Sequence, residues 1–265
     1  MVRDDRWQAV LDPGSATDFF AARAASALDP AVTTWDRGQA WWCSEIARTI
    51  YRREGRAEFF ARAGLLEQRF FDRGSTQAAL VVGPGIAVLV FRGTSDLRDW
   101  LTNLRVAPVP WSRGGRVHEG FARGLQHVFD EVEAELTGLS LPTFVTGHSL
   151  GGALATLAAS RHAFAAAYTF GAPRVGDGDF WSTLRCPLHR VVNGRDLVPT
   201  LPPRRLGYVH GGSLQHIGVD GDGEDGVDED DLADTVGSSK ARRWFDPHPT
   251  LADHAPANYS AGLVS

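Results

Sequence analysis

The chain has 265 residues, 43% of them hydrophobic and 22% charged, and a formal net charge of −5. That length suits a single α/β domain spanning 1–265, and the apolar share is enough for a buried core, which excludes intrinsic disorder for most of the chain. The acidic balance excludes a basic footprint for nucleic acid. Nine acidic residues between Asp220 and Asp234 stand without a base among them, and removing them turns −5 into +4.

The first fourteen residues, MVRDDRWQAVLDPG, lack the apolar segment of a secretory leader. No apolar run reaches the roughly 18 residues that cross a bilayer, so no stable membrane anchor is expected. The default expectation is therefore a cytoplasmic location. Cys43 and Cys186 are the two cysteines, too few for a disulfide framework, and spacing leaves open whether they pair. Residues 15–62 read as an N-terminal helical region, in two stretches separated near Pro30. Within it Trp41, Trp42, Ile46, Ile50 and Tyr51 recur at helical spacing and suggest one buried face.

The period then changes. Gln77 to Val82 and Ile86 to Phe91 are short, rich in Val and Ile, and joined by Gly83-Pro84-Gly85, which reads as two adjacent buried strands. Glu119 to Leu136 carries Phe121, Leu125, Val128, Phe129, Val132 and Leu136 at the spacing of one amphipathic helix. Pro142 to Thr146 reads as a strand and Leu150 to His162 as a helix of small residues. Ala165 to Phe170 and His189 to Val192 read as further strands, and a last helix is expected near Ala255. Strands alternating with helices imply a mostly parallel central sheet with helices on both faces. Gly218 to Lys240 reads as a long acidic loop. Its Asp220, Asp222 and Glu224 start like a calcium loop, but Asp225 stands where the turn needs glycine, so a solvated loop is the better reading. His210 and His216 match no usual zinc spacing, and no metal or other cofactor is expected.

The strongest chemical signal is Gly147-His148-Ser149-Leu150-Gly151, which follows an apolar strand and opens an alanine-rich helix. A serine at the tip of such a turn is a nucleophile elbow: the flanking positions must lack side chains, or strand and helix would collide. The turn exposes the hydroxyl and leaves the Leu150 N–H at a helix start, where it can hold a developing oxyanion. A serine hydroxyl needs a base, and the base needs a carboxylate to fix its tautomer. Asp196 ends the turn after the strand at 189–192, at the carboxyl edge where such sheets gather their catalytic groups. Of nine histidines, His248 and His254 both follow Asp196 and precede the last helix, and chain order alone does not separate them. A second oxyanion donor is expected after an earlier strand, and Phe91-Arg92-Gly93-Thr94 offers the Thr94 N–H.

These stretches together resemble the fungal-type (class 3) triacylglycerol lipase family of the alpha/beta-hydrolase superfamily. The resemblance rests on VLVFRGTSDLRDWLTNL (88–104), VHEGF (117–121), FVTGHSLGGALATLAA (144–159), YTFGAPRVGD (168–177), RVVNGRDLVPTLPP (190–203) and DHAPANY (253–259), in the family's order. It implies an alpha/beta-hydrolase fold and a serine carboxylic ester hydrolase cleaving acylglycerols or related acyl esters. Carried over by position, Ser149 resembles the nucleophile, Asp196 the triad acid, His254 the base, and Thr94 and Leu150 the oxyanion donors. An aromatic five residues after the family's histidine, here Tyr259, favours His254. Residues 95–116 resemble the family's lid, with Leu97, Trp100, Leu101 and Leu104 on one face at helical spacing. Such a segment either moves to meet a lipid interface transiently or is a fixed helix. Phospholipase A1, short-chain or feruloyl-type esterase, acyl transfer and a catalytically silent binding protein are the alternatives on this scaffold. The acidic 219–234 loop and the lack of a leader depart from the secreted fungal members.

Overall fold

The computed structural model describes residues 12–22, 27–94, 106–217 and 252–264. Among them a single 3-10 turn, Pro13–Ser15, stands where the first N-terminal helix was expected. The described residues from there to Trp35 are otherwise irregular. Its Phe20 N–H hydrogen-bonds the Glu45 carboxylate, and Arg48 joins Asp18 to Glu45. These polar ties bind the segment to the core without a repeating apolar face, so composition read helix where side-chain hydrogen bonds decide. The second stretch forms α1 (Arg37–Thr49) and α2 (Arg56–Arg62). Asp36 caps α1 by accepting from the Gln39 N–H at 2.8 Å. Gly55, at φ 66°, turns the chain into α2. Trp41, Ile46, Ile50 and Tyr51 are buried and Trp42 is half-buried, but almost every residue of α1 is covered, not one face alone.

Three antiparallel strands follow: β1 (Leu66–Arg73), β2 (Thr76–Gly83) and β3 (Ile86–Phe91). A small antiparallel pair, β4 (Val109–Pro110) and β5 (Arg116–Val117), stands apart. The amphipathic segment expected as one helix is two, α3 (Glu119–Gln126) and α4 (Phe129–Thr137). The chain leaves helical geometry at Val128 (φ −120°, ψ −15°). That break brings Phe121, Leu125, Val128, Phe129 and Val132 all into the core. Then come β6 (Thr143–His148), α5 (Leu150–Arg161), β7 (Ala167–Phe170), α6 (Gly178–Trp181), β8 (Leu188–Asn193), β9 (Ser213–Ile217) and α7 (Pro256–Val264).

Seven of these strands form one sheet in the order β1-β2-β3-β6-β7-β8-β9. From β3 onward every pairing is parallel. The sheet alternation deals successive side chains to opposite faces. Ala78, Leu80, Ala87, Leu89 and Phe91 pack with Phe121, Leu125, Phe129, Leu154 and Leu157. Ala79, Val81, Ile86, Val88 and Val90 pack with Trp41, Ile46, Ile50, Tyr259 and Leu263 on the other side. Helices thus cover both faces, as an alpha/beta-hydrolase sheet requires. α5 is buried almost all round. Its alanines and glycines let it lie close against the sheet, and Gly151 is the tightest point. A Cβ built there would stand 2.2 Å from the Phe91 carbonyl oxygen.

Gly151→Ala is expected to lower stability by about 2 kcal/mol or more through overpacking against that backbone. Gly138→Ala, on exposed backbone where the added Cβ meets nothing nearer than 3.6 Å, is expected to change it by less than about 0.5 kcal/mol. Urea denaturation midpoints of the two variants check the contrast; equal midpoints would contradict the packing argument.

Candidate active site

The site is assembled at the carboxyl ends of β6, β7 and β8, where a parallel sheet delivers its loops. β6 runs into Ser149, which takes φ 59° and ψ −127° and is the N-cap of α5. A non-glycine residue there costs of order 1–3 kcal/mol of backbone strain, held only because its surroundings leave no alternative. Those surroundings are visible. A Cβ on Gly147 would stand 2.3 Å from the Gly151 carbonyl carbon, and one on Gly152 would stand 2.7 Å from the Ala172 methyl. The Ser149 N–H is anchored on the Phe170 carbonyl at 2.8 Å. Leu150, the next residue, is the first of α5. The turn carrying half-buried Thr94 leaves β3 beside this elbow, since Phe91 and Arg92 backbone atoms press on Gly151.

Asp196 lies one tight turn beyond β8, its N–H bonded to the Asn193 carbonyl at 3.0 Å. Its carboxylate is 1% exposed and accepts three hydrogen bonds. Oδ1 takes the Val198 N–H at 2.9 Å, while Oδ2 takes the Tyr259 hydroxyl at 2.6 Å and His254 Nδ1 at 2.7 Å. A carboxylate accepts only, so Nδ1 of His254 carries the proton and Nε2 is left as the basic nitrogen. Buried Ser149 Oγ and His254 Nε2 find no hydrogen-bond partner among the described residues. Polar atoms so placed are rare in native cores and mark a site kept for chemistry.

The His254 loop is locked to the Asp196 turn from both sides. Asp253 accepts the Arg195 N–H at 2.9 Å, and its carbonyl accepts from Asn193 Nδ2 at 3.0 Å. At Gly171, with φ 56°, an added Cβ would stand 2.6 Å from Asp196 Oδ2 and 3.0 Å from His254 Nδ1. Glycine is required there because the backbone itself is the floor of the carboxylate–imidazole pair. Burial first, then the Asp196 charge, raises the Tyr259 phenol well above its ordinary range, so Tyr259 stays protonated and donates.

Sequence reasoning named Ser149, Asp196 and His254; the fold sets the His254 imidazole against the Asp196 carboxylate and beside the ring of His148, the residue before Ser149, while His248 lies outside the described residues. It missed three further groups. His148 was set aside as a mere element of the elbow, Tyr259 served only as a spacing marker, and Tyr51 as an apolar face residue. The His148 and His254 rings lie 4.5 Å apart, centroid to centroid, and His148 Nε2 reaches the His254 carbonyl at 2.7 Å. The signal was in the pattern: a histidine inside an apolar strand end and a tyrosine within a buried helix face must each find a partner.

Residues 95–105 of the expected lid and the acidic 219–234 loop lie outside the described residues. Trp111, near that lid, is packed against the core with its indole N–H on Ser160 Oγ at 3.0 Å. Cys43 and Cys186 are both free. His210 and His216 each bond a backbone carbonyl, of Pro199 and Gly194, at 2.7 and 2.8 Å. Among the described residues no group of three or more His, Cys, Asp or Glu is arranged to hold a metal ion. No helix among them is long and apolar enough to cross a membrane.

The family model for lipase (class 3) matches residues 88–206. A solved structure of Rhizomucor miehei lipase in complex with its propeptide superposes with a TM-score of 0.63 at 30% identity, covering 71% of this chain and 69% of that one. The chain belongs to the class 3 lipase family. The lipase of Rhizomucor miehei is 40% identical over 149 residues, which is 47% of this chain and 39% of that protein. A secreted mono- and diacylglycerol lipase of Fusarium solani is 38% identical over 138 residues, 46% of this chain and 41% of that protein. The chain therefore spans about two fifths of the length of these curated relatives. The expected cytoplasmic location is corrected by them, since similar lipases of this family are secreted. That expectation leaned on the composition of the first residues, and a leader is a removable address, not a part of the fold.

Burial, then the neighbouring His254, holds His148 well below its ordinary value of 6.5, and burial with Arg190 does the same to His210. Both are neutral when folded and gain protons on unfolding below pH 6.5. A depressed folded value contributes stability above the unfolded one, and that stability is lost as pH falls. The urea midpoint followed by tryptophan fluorescence is thus expected to drop between about pH 7 and pH 5.5. A double His148→Gln, His210→Gln variant is expected to show a flatter slope; an unchanged slope would refute the assignment.

Proposed function

We propose that this class 3 lipase family member is a serine hydrolase of carboxylic esters, cleaving acylglycerols through an acyl-enzyme. Ser149 Oγ attacks the ester carbonyl while His254 Nε2 takes its proton, and Asp196 steadies the imidazolium that forms. The N–H groups of Leu150 and Thr94 hold the tetrahedral oxyanion. His254 then returns the proton to the leaving alcohol, which departs as the C–O bond breaks and the acyl group stays on Ser149. Water, activated by the same imidazole, attacks the acyl-enzyme, releases the carboxylic acid and restores the serine hydroxyl.

The observation that supports this reading most strongly is the carboxylate–imidazole pair at 2.7 Å beside a serine held at a strained elbow. It leaves Nε2 and Oγ, both buried, without other partners among the described residues. Each group is arranged so that its reactive atom is unspent. Relatives named as mono- and diacylglycerol lipases favour this substrate class over the phospholipid and feruloyl alternatives. A secreted setting and an ester substrate presented at a lipid interface belong to the same proposal. So does one domain over residues 1–265, supported by Tyr51 of the N-terminal region reaching into the site.

Ser149→Ala is expected to reduce turnover of p-nitrophenyl acyl esters by on the order of 10⁴-fold or more and to abolish labelling by a fluorophosphonate, with an unchanged circular dichroism spectrum. Turnover retained in that variant would remove the reading. A chain-length series on mono-, di- and triacylglycerol, with and without an emulsion, then ranks the substrates.

A further inference from the structure

The proposed mechanism uses Ser149, Asp196 and His254 but leaves a buried polar chain behind them unexplained. Tyr51, just beyond α1, places its hydroxyl 3.0 Å from His148 Nδ1. His148 Nε2 in turn stands 2.7 Å from the backbone carbonyl of His254. That carbonyl can only accept, so Nε2 carries the proton. Nδ1 is then the acceptor, and the tyrosine O–H donates to it. The same tyrosine oxygen receives a backbone hydrogen bond from Gly93, the residue before Thr94. So close is the approach that a Cβ on Gly93 would meet the Tyr51 oxygen at 1.9 Å. The chain of donors thus runs from the Gly93 N–H to Tyr51, to His148, to the His254 carbonyl.

This chain touches three separate parts of the site: the turn after β3 that carries Thr94, the elbow residue beside Ser149, and the loop that bears His254. Nothing covalent joins them, since residues 51, 93, 148 and 254 lie far apart along the chain. Resting on the reading above, we propose that Tyr51 and His148 are positioning residues, a relay that sets the oxyanion turn and the His254 loop in register around Ser149. His148 suits the task because it has one donor and one acceptor on opposite sides of a rigid ring. Its ring lies against His254 at 4.5 Å and edge-on to Tyr259 at 5.7 Å. Burial keeps it uncharged beside the imidazole that becomes a cation during turnover. The His254 carbonyl fixes its tautomer; without the Tyr51 hydroxyl, Nδ1 is left unpaired in a buried place, and the ring loses the tie that holds its Nε2–H on that carbonyl. Displacing a reacting group by a fraction of an ångström is enough to cost rate, because alignment contributes many-fold to a positioned reaction.

Tyr51→Phe removes one oxygen and keeps the ring. It is expected to lower kcat on a p-nitrophenyl ester by on the order of tenfold, with KM within about twofold and a melting temperature shifted by only a few degrees. His148→Leu should lose as much or more, and His148→Gln, whose amide N–H can still serve the His254 carbonyl, should recover most of that loss. Because one chain carries both residues, Tyr51→Phe combined with His148→Leu should be no worse than His148→Leu alone. Should His148→Leu fail to fold, Tyr51→Phe and His148→Gln still decide. A kcat unchanged in Tyr51→Phe, or additive losses in the double variant, overturns the relay while leaving the loss in Ser149→Ala intact. Turnover retained in Ser149→Ala sinks the hydrolase reading itself, so the two failures are told apart.

Discussion

The constraint on which the rest depends is steric and sits at one turn. Ser149 can leave β6 and enter α5 at φ 59° only if strand and helix nearly touch. They do so because Gly147 and Gly151 offer no Cβ to keep them apart. That contact aligns the start of α5 on the sheet edge, brings the end of β3 against Gly151, and sets the Ser149 N–H on Phe170 at 2.8 Å. The strain of the serine, of order 1–3 kcal/mol, is offset by two cores that grip both faces of the sheet. The site inherits its precision from elements too well packed to relax.

Much of this was legible because the elements concerned obey one period. β3 and β6 are buried over their whole length and α5 over nearly all of it, so small and apolar residues dominate them. The elbow was legible for the same reason, since glycines at two fixed offsets from a serine have a steric meaning that few other turns share. What escaped was decided by contacts distant in sequence. β1 alternates buried and exposed residues only weakly along Leu-Glu-Gln-Arg-Phe-Phe-Asp-Arg, and its pairing with β2, not its pattern, makes it a strand. β9, with exposed Ser213 and Leu214, becomes a strand by pairing with β8. The stretch before α1 reads as helical by composition, yet its order comes from Asp18, Glu45 and Arg48, which no local period announces. The split between α3 and α4 is likewise invisible to a heptad-like count, because the apolar residues continue in phase across it.

The residues of the site divide in the same way. Ser149 and Asp196 announce themselves by local context, a turn after a strand in each case. His254 did not: chain order left it level with His248 until the family resemblance was drawn. What distinguishes it in space is the pairing of Asp253 with the Asn193–Arg195 turn, a contact spanning some sixty residues that no spacing rule encodes. Tyr51, His148 and Tyr259 were hidden more deeply still, because each satisfies a helix or strand pattern as an apolar residue would and reveals its polar end only when the partner is in view.

The electrostatic logic of the pocket follows from what each buried group is permitted to be. Asp196 is the carboxylate that touches the imidazole among the described residues, and three donors share its charge. Tyr259 cannot take that charge away, because burial and the carboxylate together keep its phenol protonated. His148, although its ring is next to His254, is held neutral by burial and by His254 itself, so it adds no repulsion when His254 gains a proton. A second cation at 4.5 Å in so dry a place would oppose that protonation directly. A protein that buries two imidazoles in contact therefore does well to make one of them a fixed dipole and leave the other a nitrogen without a partner. Hydrogen bonds assign the roles: His148 has both nitrogens occupied by Tyr51 and the His254 carbonyl, whereas His254 has one on Asp196 and one unspent.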